Sequence, residues 1–371
     1  MANMTKNIKE WSNQYNPFNS MKILFWSKHM EAFAKEEYPP PPSVDVDPSN
    51  MCNFKCMWCN AYDIICKKSN NLPTKHLIKI SDMCADWGVK SMCVAGGGEP
   101  MMNVGFLLLL QRNHKNDIET GVITNGSLIK DKHIDTMVDT CRWVGISVDS
   151  GTKETFEKIK KVRKDMFDVV INNINKLTNK IKQVNSKCDV AYKYLLHPLN
   201  ASEIYEAAKL AKSLGVNDFH MRPVGWDNIT ITKKSNSLLF TPDIFKTTNE
   251  QIKMAMELED DAFHFYGVRH KFDQNFKRKV NFSRCWAIPL IPTFGADGNV
   301  HTCFDMRGRE DLIMCSHYPD PEEIRRMWNT EKHKELIRTI DISKCPRCTF
   351  GIYNEMVEKV FIKDMMCRNF P

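Results

Sequence analysis

Residues 47–60 read DPSNMCNFKCMWCN and follow directly on a predicted strand at 43–47. They place Cys52, Cys56 and Cys59 in a Cys-x3-Cys-x2-Cys loop. Three thiolates in one loop can each bind an iron of a [4Fe–4S] cluster, which normally takes four cysteines. No further cysteine follows until Cys66, so one iron is left open to an exchangeable ligand. An open coordination position marks a catalytic metal rather than a structural one. The loop's position fits, because parallel α/β barrels carry catalytic groups at the C-terminal ends of their strands. The competing reading is a zinc ion with His76 or Cys66 as fourth ligand. Zinc sites favour paired Cys-x2-Cys units, and this triplet offers only one.

Outward from this loop, short β-prone runs alternate with amphipathic helical patterns. Strands are predicted at 43–47, 91–95, 120–124, 143–148, 189–195 and 218–222, and helices at 76–87, 130–140, 153–161, 167–184 and 201–214. Gly88, Gly121 and Gly215 fall near element boundaries, where positive φ is useful. Such alternation predicts βαβ units and a parallel sheet. Right-handed crossovers curl six units into a barrel, although periodicity does not separate a partial barrel from a flat doubly wound sheet. The prolines at 39–42 set an N-terminal extension, 1–42, apart from a core at 43–240. After about Phe240 the alternation fades. A helical pattern at 243–258 and the aromatic, basic run AFHFYGVRHKFDQNFKRK read as a connector, 241–284, to a second unit at 285–371.

Composition narrows the class. The chain has 371 residues, 42% hydrophobic and 26% charged, ordinary values for a globular protein with a normal core. Net charge is 52 − 45 = +7, and mixed runs such as EKIKKVRKD read as solvated helix faces, which disfavours a nucleic-acid groove. No stretch approaches the ~18–20 apolar residues that span a bilayer, and 106–110 reads as the buried face of a helix. The polar start lacks a secretory core, so a cytoplasmic location is expected. In that setting fourteen cysteines point to metal or redox chemistry rather than disulfides. Cys66, Cys84, Cys93, Cys141 and Cys188 are isolated and read as small buried hydrophobes.

The cysteine loop, with Trp58 before its third cysteine, resembles the Cys-x3-Cys-x-aromatic-Cys motif of the radical S-adenosylmethionine (SAM) superfamily. The resemblance implies an α/β fold of the partial (β/α)6 TIM-like barrel type, whose open iron chelates the methionine moiety of SAM. Trp58 would then pack near the adenine. Ala95-Gly96-Gly97-Gly98-Glu99-Pro100, at the second strand's end, looks like the superfamily's Gly-Gly-Glu-Pro motif. Gly97, Gly98 and Glu99 would there meet the SAM amino group, and glycine lets backbone approach a ligand closely. Thr124-Asn125-Gly126 and Ser147-Val148-Asp149-Ser150 end the next two strands and resemble polar strand ends around the cofactor. Thr124, Asn125 and Ser147 are expected against SAM, and Asp149 against SAM or substrate. Arg163 resembles the basic partner of the SAM carboxylate in some members, and Arg222 with Pro223 would lie on the adenine side. Four such elements fall in register at four successive strand ends.

In the last quarter, Cys285 and Cys303 flank ADGNV, a turn between β-prone residues, and Cys345 and Cys348 form Cys-x2-Cys. Two pairs suit a [4Fe–4S] cluster or zinc equally. The pattern Cys285-x12-Gly298-x4-Cys303, then Cys-x2-Cys, resembles the small α+β auxiliary-cluster domain of SPASM/twitch radical SAM enzymes. The full pattern carries further cysteines, and Asn354 stands where the next would fall. One auxiliary [4Fe–4S] cluster is therefore expected, with Cys315 and Cys367 left over.

The resemblance implies reductive cleavage of SAM to a 5′-deoxyadenosyl radical, with electrons from a flavodoxin- or ferredoxin-type donor, and hydrogen abstraction from a substrate. A small molecule such as a sugar, aminocyclitol or nucleotide, oxidised with help from the auxiliary cluster, is the leading expectation. Peptide maturation is the second, since the N-terminal extension is short for a peptide-recognition domain. In an oxidation Asp149, Glu99 or Arg222 would stand near the departing proton; in an epimerisation Cys188 or Cys141 would return hydrogen. A non-catalytic zinc-binding module is the remaining alternative, which the Gly-Gly-Glu-Pro segment disfavours.

Overall fold

A computed structural model describes residues 20–59, 61, 70–224, 240–267, 280–345, 348–363 and 369. Seven strands follow one another in parallel order: β1 (Ser43–Val46), β2 (Ser91–Val94), β3 (Glu119–Thr124), β4 (Cys141–Ser147), β5 (Asp189–Leu196), β6 (Asp218–Pro223) and β7 (His264–Gly267). Helices that matter for the site are α1 (Thr74–Trp87), α2 (Phe106–Lys115), α3 (Asp131–Thr140), α4 (Lys153–Lys160), α5 (Met166–Val184), α6 (Ile204–Ser213) and α7 (Pro242–Met256). This is an α/β partial barrel.

The helices form where apolar residues recur every three or four positions. In α1, His76, Leu77, Ile80, Met83 and Cys84 are buried on one face. The helix then ends on Gly88 at φ +94°, a left-handed conformation that glycine adopts without a Cβ penalty. Along the strands, alternate residues face the helices: Val44, Val46, Met92, Val94, Val144, Ile146, Val190, Tyr192, Tyr194, Phe219 and Phe265 all enter the main core. Their neighbours in sequence face inward and are largely polar: Asp45, Cys93, Trp143, Lys193, His220, Arg222 and Tyr266. Two-residue periodicity thus gives a barrel with an apolar outside and a polar lumen.

The structure departs from the expected layout in two places. The barrel does not end at residue 240: α7 and β7, within the region expected to be a connector, add a seventh parallel strand. The strand lies inside the aromatic, basic run AFHFYGVRHKFDQNFKRK, whose composition reads as a connector. Second, β8 (Thr293–Phe294) pairs in parallel with β1, on the edge opposite β2. It continues antiparallel into β9 (Asn299–His301) and β10 (Ile313–Ser316). One ten-stranded sheet therefore runs through both cysteine-rich parts of the chain. Arg307, beyond β9, clamps this junction, meeting Asp47 through Nη2 at 2.8 Å and Nε at 2.6 Å with both side chains buried. The last segments are α8 (Glu323–Met327), α9 (Glu331–Arg338), α10 (Gly351–Met356) and a helical turn, Val357–Ile362.

Candidate active site

The first cysteine loop is strapped on three sides. Toward β2, Gly98 N donates to Ser49 O at 2.9 Å and Glu99 N to Met51 O at 2.8 Å. A Cβ on Gly98 would stand 2.1 Å from Met51 O, so only glycine permits this approach. Toward α4, Lys55 N donates to Lys160 O and Met57 N to Ile159 O, at 3.2 and 2.9 Å. Toward β3, Asn125 Nδ2 donates to Asn53 Oδ1 at 2.9 Å. Burial, with Cys56 nearby, pushes the Cys52 thiol up to about 11, and burial, with Cys56 and Cys52, pushes Cys59 up to about 12. Burial raises Cys56 as well, while Lys160 pulls it back. These thiols bear on one another and would release protons to a thiophilic metal. Among the described residues no three His, Cys, Asp or Glu side chains close around a single ion. His76, the fourth ligand of the zinc reading, instead bonds His317 Nδ1 through Nε2 at 2.9 Å. Cys66 and Cys367 lie outside the described residues.

Glu99 is 2% exposed. Its Oε1 accepts from Thr124 Oγ1 at 2.7 Å and Met101 N at 3.2 Å, and its Oε2 from Asn125 N at 2.8 Å. Burial lifts the carboxyl to about 7, and only these neutral donors hold it down. A buried carboxyl flanked by glycine backbone fits a cationic amino group. Trp58 is buried, its ring stacked on His197 with centroids 4.7 Å apart, and among the described residues its Nε1 has no hydrogen-bond partner. An aromatic plate with an unanswered donor beside this carboxyl-bearing loop suits SAM.

Ser147 ends β4, in register with Lys193. Asp149 takes φ +63° and is 2% exposed. Its Oδ2 pairs with Lys160 Nζ at 2.6 Å, and its Oδ1 accepts from Leu195 N at 2.7 Å. Burial pushes the Lys160 ammonium down, but Asp149, Cys56 and Cys52 outweigh it and hold Lys160 above its ordinary value. The cation beside the loop is thus Lys160. Arg163 stands 71% exposed with Asp165 2.8 Å away, out with the solvent. Lys160 belongs to the run EKIKKVRKD, expected to be a solvated face; its helical neighbours Phe156 and Ile159 are buried with it. Their i, i+3, i+4 spacing was the available signal.

Inside the lumen, Lys193 Nζ lies 2.8 Å from His220 Nδ1 and 5.6 Å from the Trp143 ring centre. Burial, with Arg222 adding to it, brings Lys193 down to about 8. Arg222 sits two residues beyond His220, opposite Leu195. Cys141 and Cys188 lie at the N-terminal ends of β4 and β5, the far end from the cysteine loop, which removes them as hydrogen donors there.

At the other cysteine-rich end, Cys285 feels the charges of Cys345 and Cys348, and Cys303 those of Cys285 and Cys348. Burial drives both Cys285 and Cys303 well up, and Asp305 adds to the shift at Cys303. Cys315 is instead part of β10. Ile352, four residues past Cys348, packs on Tyr266 of β7, so the helix after Cys348 meets the last barrel strand.

A parallel partial barrel with a thiol-rich loop at one strand end and a buried acid at the next defines a cofactor-dependent α/β enzyme. A family model described as "Radical SAM superfamily" matches residues 46–211, and the chain carries a radical SAM domain, whose family uses a [4Fe–4S] cluster and SAM. A probable GTP 3′,8-cyclase of Saccharolobus islandicus is 25% identical over 194 residues, 50% of this chain and 59% of that protein. The chain thus spans about three fifths of that relative. Streptococcus suis SuiB bound to S-adenosylmethionine superposes with TM-score 0.64 at 17% identity, over 91% of this chain and 79% of that one. The structure of anSMEcpe with bound AdoMet gives 0.57 at 17% identity, over 89% and 100%. At these identities the solved structures speak for the fold. Among the described residues no helix is long and apolar enough to cross a membrane.

Proposed function

We propose that this protein cleaves SAM reductively and abstracts hydrogen from a polar substrate held in the barrel lumen. The observation that carries this reading is the buried Glu99, joined to Thr124 and Asn125 and pinned through Gly98 against the cysteine loop. In this reading Cys52, Cys56 and Cys59 hold the cluster, and Glu99 with the backbone of Gly97 and Gly98 takes the SAM amino group. Trp58, Asn125 and Ser147 border the adenosyl part, and Lys160 with Asp149 fixes the loop's far side. Cys285, Cys303, Cys345 and Cys348 hold one auxiliary cluster. When bound, these groups supply a 5′-deoxyadenosyl radical that takes hydrogen from an unactivated carbon and a centre that accepts the remaining electron.

The chain's own residues do the rest. The helices and the C-terminal hairpin exclude water from the lumen. Lys193, at about 8 beside His220, is matched to receive a proton at neutral pH during an oxidation, with Arg222 holding an anionic group. A sugar, aminocyclitol or nucleotide suits such a lumen, and the enzyme is then a cytosolic oxidoreductase fed by a flavodoxin or ferredoxin. A peptide substrate is the second reading. It is favoured by SuiB solved with precursor peptide SuiA, whose fold matches 94% of this chain at TM-score 0.62.

Anaerobic reconstitution with iron and sulfide, followed by SAM and dithionite, tests the reading. About eight irons per chain, the sum of two [4Fe–4S] clusters, and 5′-deoxyadenosine that disappears in Cys56→Ala are expected. Zinc in place of iron, with SAM left intact, would refute it.

A further inference from the structure

We infer that Asn354 and Glu358 form a metal-free clamp that sets the retention and the reduction potential of the cluster held by Cys285, Cys303, Cys345 and Cys348. The inference rests on the auxiliary-cluster reading above. Cys285 and Cys348 are far apart in sequence, and each sits in a segment without regular structure. Two side chains one helical turn apart hold those segments together.

Asn354, in α10, is fully buried. Its Oδ1 accepts from two consecutive backbone donors, Trp286 N at 2.6 Å and Ala287 N at 2.7 Å, directly after Cys285. Its Nδ2 donates to Cys348 Sγ at 3.6 Å. The same side chain favours the thiolate of Cys285, as does the backbone at Ile288. Both ends of one amide are thus engaged, the acceptor in the backbone that carries one cysteine and the donor on the sulfur of another. Glu358, four residues on and so on the same helical face, has a side chain 5% exposed. It accepts from Ser283 N at 2.7 Å, Ser283 Oγ at 2.8 Å and Trp286 Nε1 at 3.3 Å, with Lys363 Nζ 2.5 Å from its other oxygen. Residues 283–287, with Cys285 at their centre, are therefore fastened to the helix that follows Cys348.

The two residues divide the work. Outer hydrogen bonds that orient ligands change metal retention by about 10–100-fold, and both residues hold Cys285 in place. Only Asn354 touches sulfur. An N–H···S bond withdraws charge from the cluster and favours its reduced form, one of the levers on Fe–S potentials. A residue that only packed the helix would leave the potential unmoved.

The test uses the full chain with Cys52, Cys56 and Cys59 all changed to Ala, reconstituted with iron and sulfide, so that only the auxiliary cluster is read. Redox titration followed by EPR gives the potential, and iron loss to a chelator gives retention. About four irons are expected. Asn354→Leu should lose iron about tenfold faster or more and fall in potential, by about 59 mV for a tenfold loss of preference for the reduced form. Asn354→Asp keeps the acceptor to Trp286 and Ala287 and should fold, yet its potential should also drop. Glu358→Gln should speed iron loss while leaving the potential near the parent value. Unchanged potentials in both Asn354 variants, with the cluster assembled, would overturn the inference. A triple-alanine protein that takes up no iron would refute the auxiliary-cluster reading itself.

Discussion

Replacing Lys160 with Met isolates one buried charge. Lys160 Nζ and Asp149 Oδ2 are 2.6 Å apart, with side chains 3% and 2% exposed. At an effective dielectric of about 20 their gross attraction is about 6 kcal/mol. Methionine matches the apolar stem of lysine, so the loss is that of the ammonium. The stranded carboxyl has a cheaper exit than staying charged, namely taking up a proton. Against an unfolded-state Asp value of about 3.9, that costs about 4 kcal/mol at pH 7. This bounds the penalty at the 3–5 kcal/mol typical of breaking a buried pair. It also makes the penalty pH-dependent, shrinking by about 1.4 kcal/mol for each unit of acidification toward pH 4. Urea unfolding of parent and Lys160→Met, followed by tryptophan fluorescence at pH 7 and pH 5, measures both. The double variant Asp149→Asn, Lys160→Met keeps an acceptor for Leu195 N and should recover most of the loss. A penalty below about 1 kcal/mol at pH 7, or one equal at the two pH values, refutes the reasoning.

Gly98→Ala must move backbone, because its Cβ would meet Met51 O at 2.1 Å; SAM affinity measured by equilibrium dialysis should fall at least tenfold, and unchanged affinity would remove Gly98 from the site. Glu99 is lifted to about 7 by burial, so its folded-state proton adds stability that is lost as pH rises from about 4.3 through 7. SAM, which selects the carboxylate, should bind more tightly across that window and level off above it, whereas Glu99→Gln should bind weakly at every pH. Burial holds His317 down to about 4, so its contribution is complete above about 6.5 and disappears as pH falls through 4, roughly 3 kcal/mol in all. His317→Asn should flatten that part of the acid-unfolding curve, and an unaltered curve would show that His317 does not govern it.

Much of the barrel was legible because its determinants are local. Each of the six predicted strands overlaps an observed one, since β-prone runs and flanking helical patterns are contiguous in sequence. The four polar strand ends were legible for the same reason, and Glu99, Thr124 and Asn125 do meet. What escaped depends on distance in the chain. Lys160 looks like its neighbours Lys158 and Lys161, and only the buried Asp149 distinguishes it. Arg163 carries the same charge and sits three residues on, yet the turn after α4 sends it to solvent. Lys193 and His220 are unremarkable on separate strands until β5 and β6 align them. Asn354 was visible as a missing cysteine, while its bonds to Trp286 and Ala287 span more than sixty residues.

The parallel pairing of β8 with β1 has a consequence for synthesis on the ribosome. Val46 finds its partner Phe294 only after about 250 further residues have been made, which at about 5–20 residues per second takes roughly 12–50 s. Throughout that interval the first strand of the barrel presents an unpaired edge, the kind of surface that recruits a strand from another chain. Slow translation or a truncated message would prolong this exposure. For this chain the last quarter acts as a closing seam, so soluble yield should depend on reaching residue 294 in one uninterrupted pass.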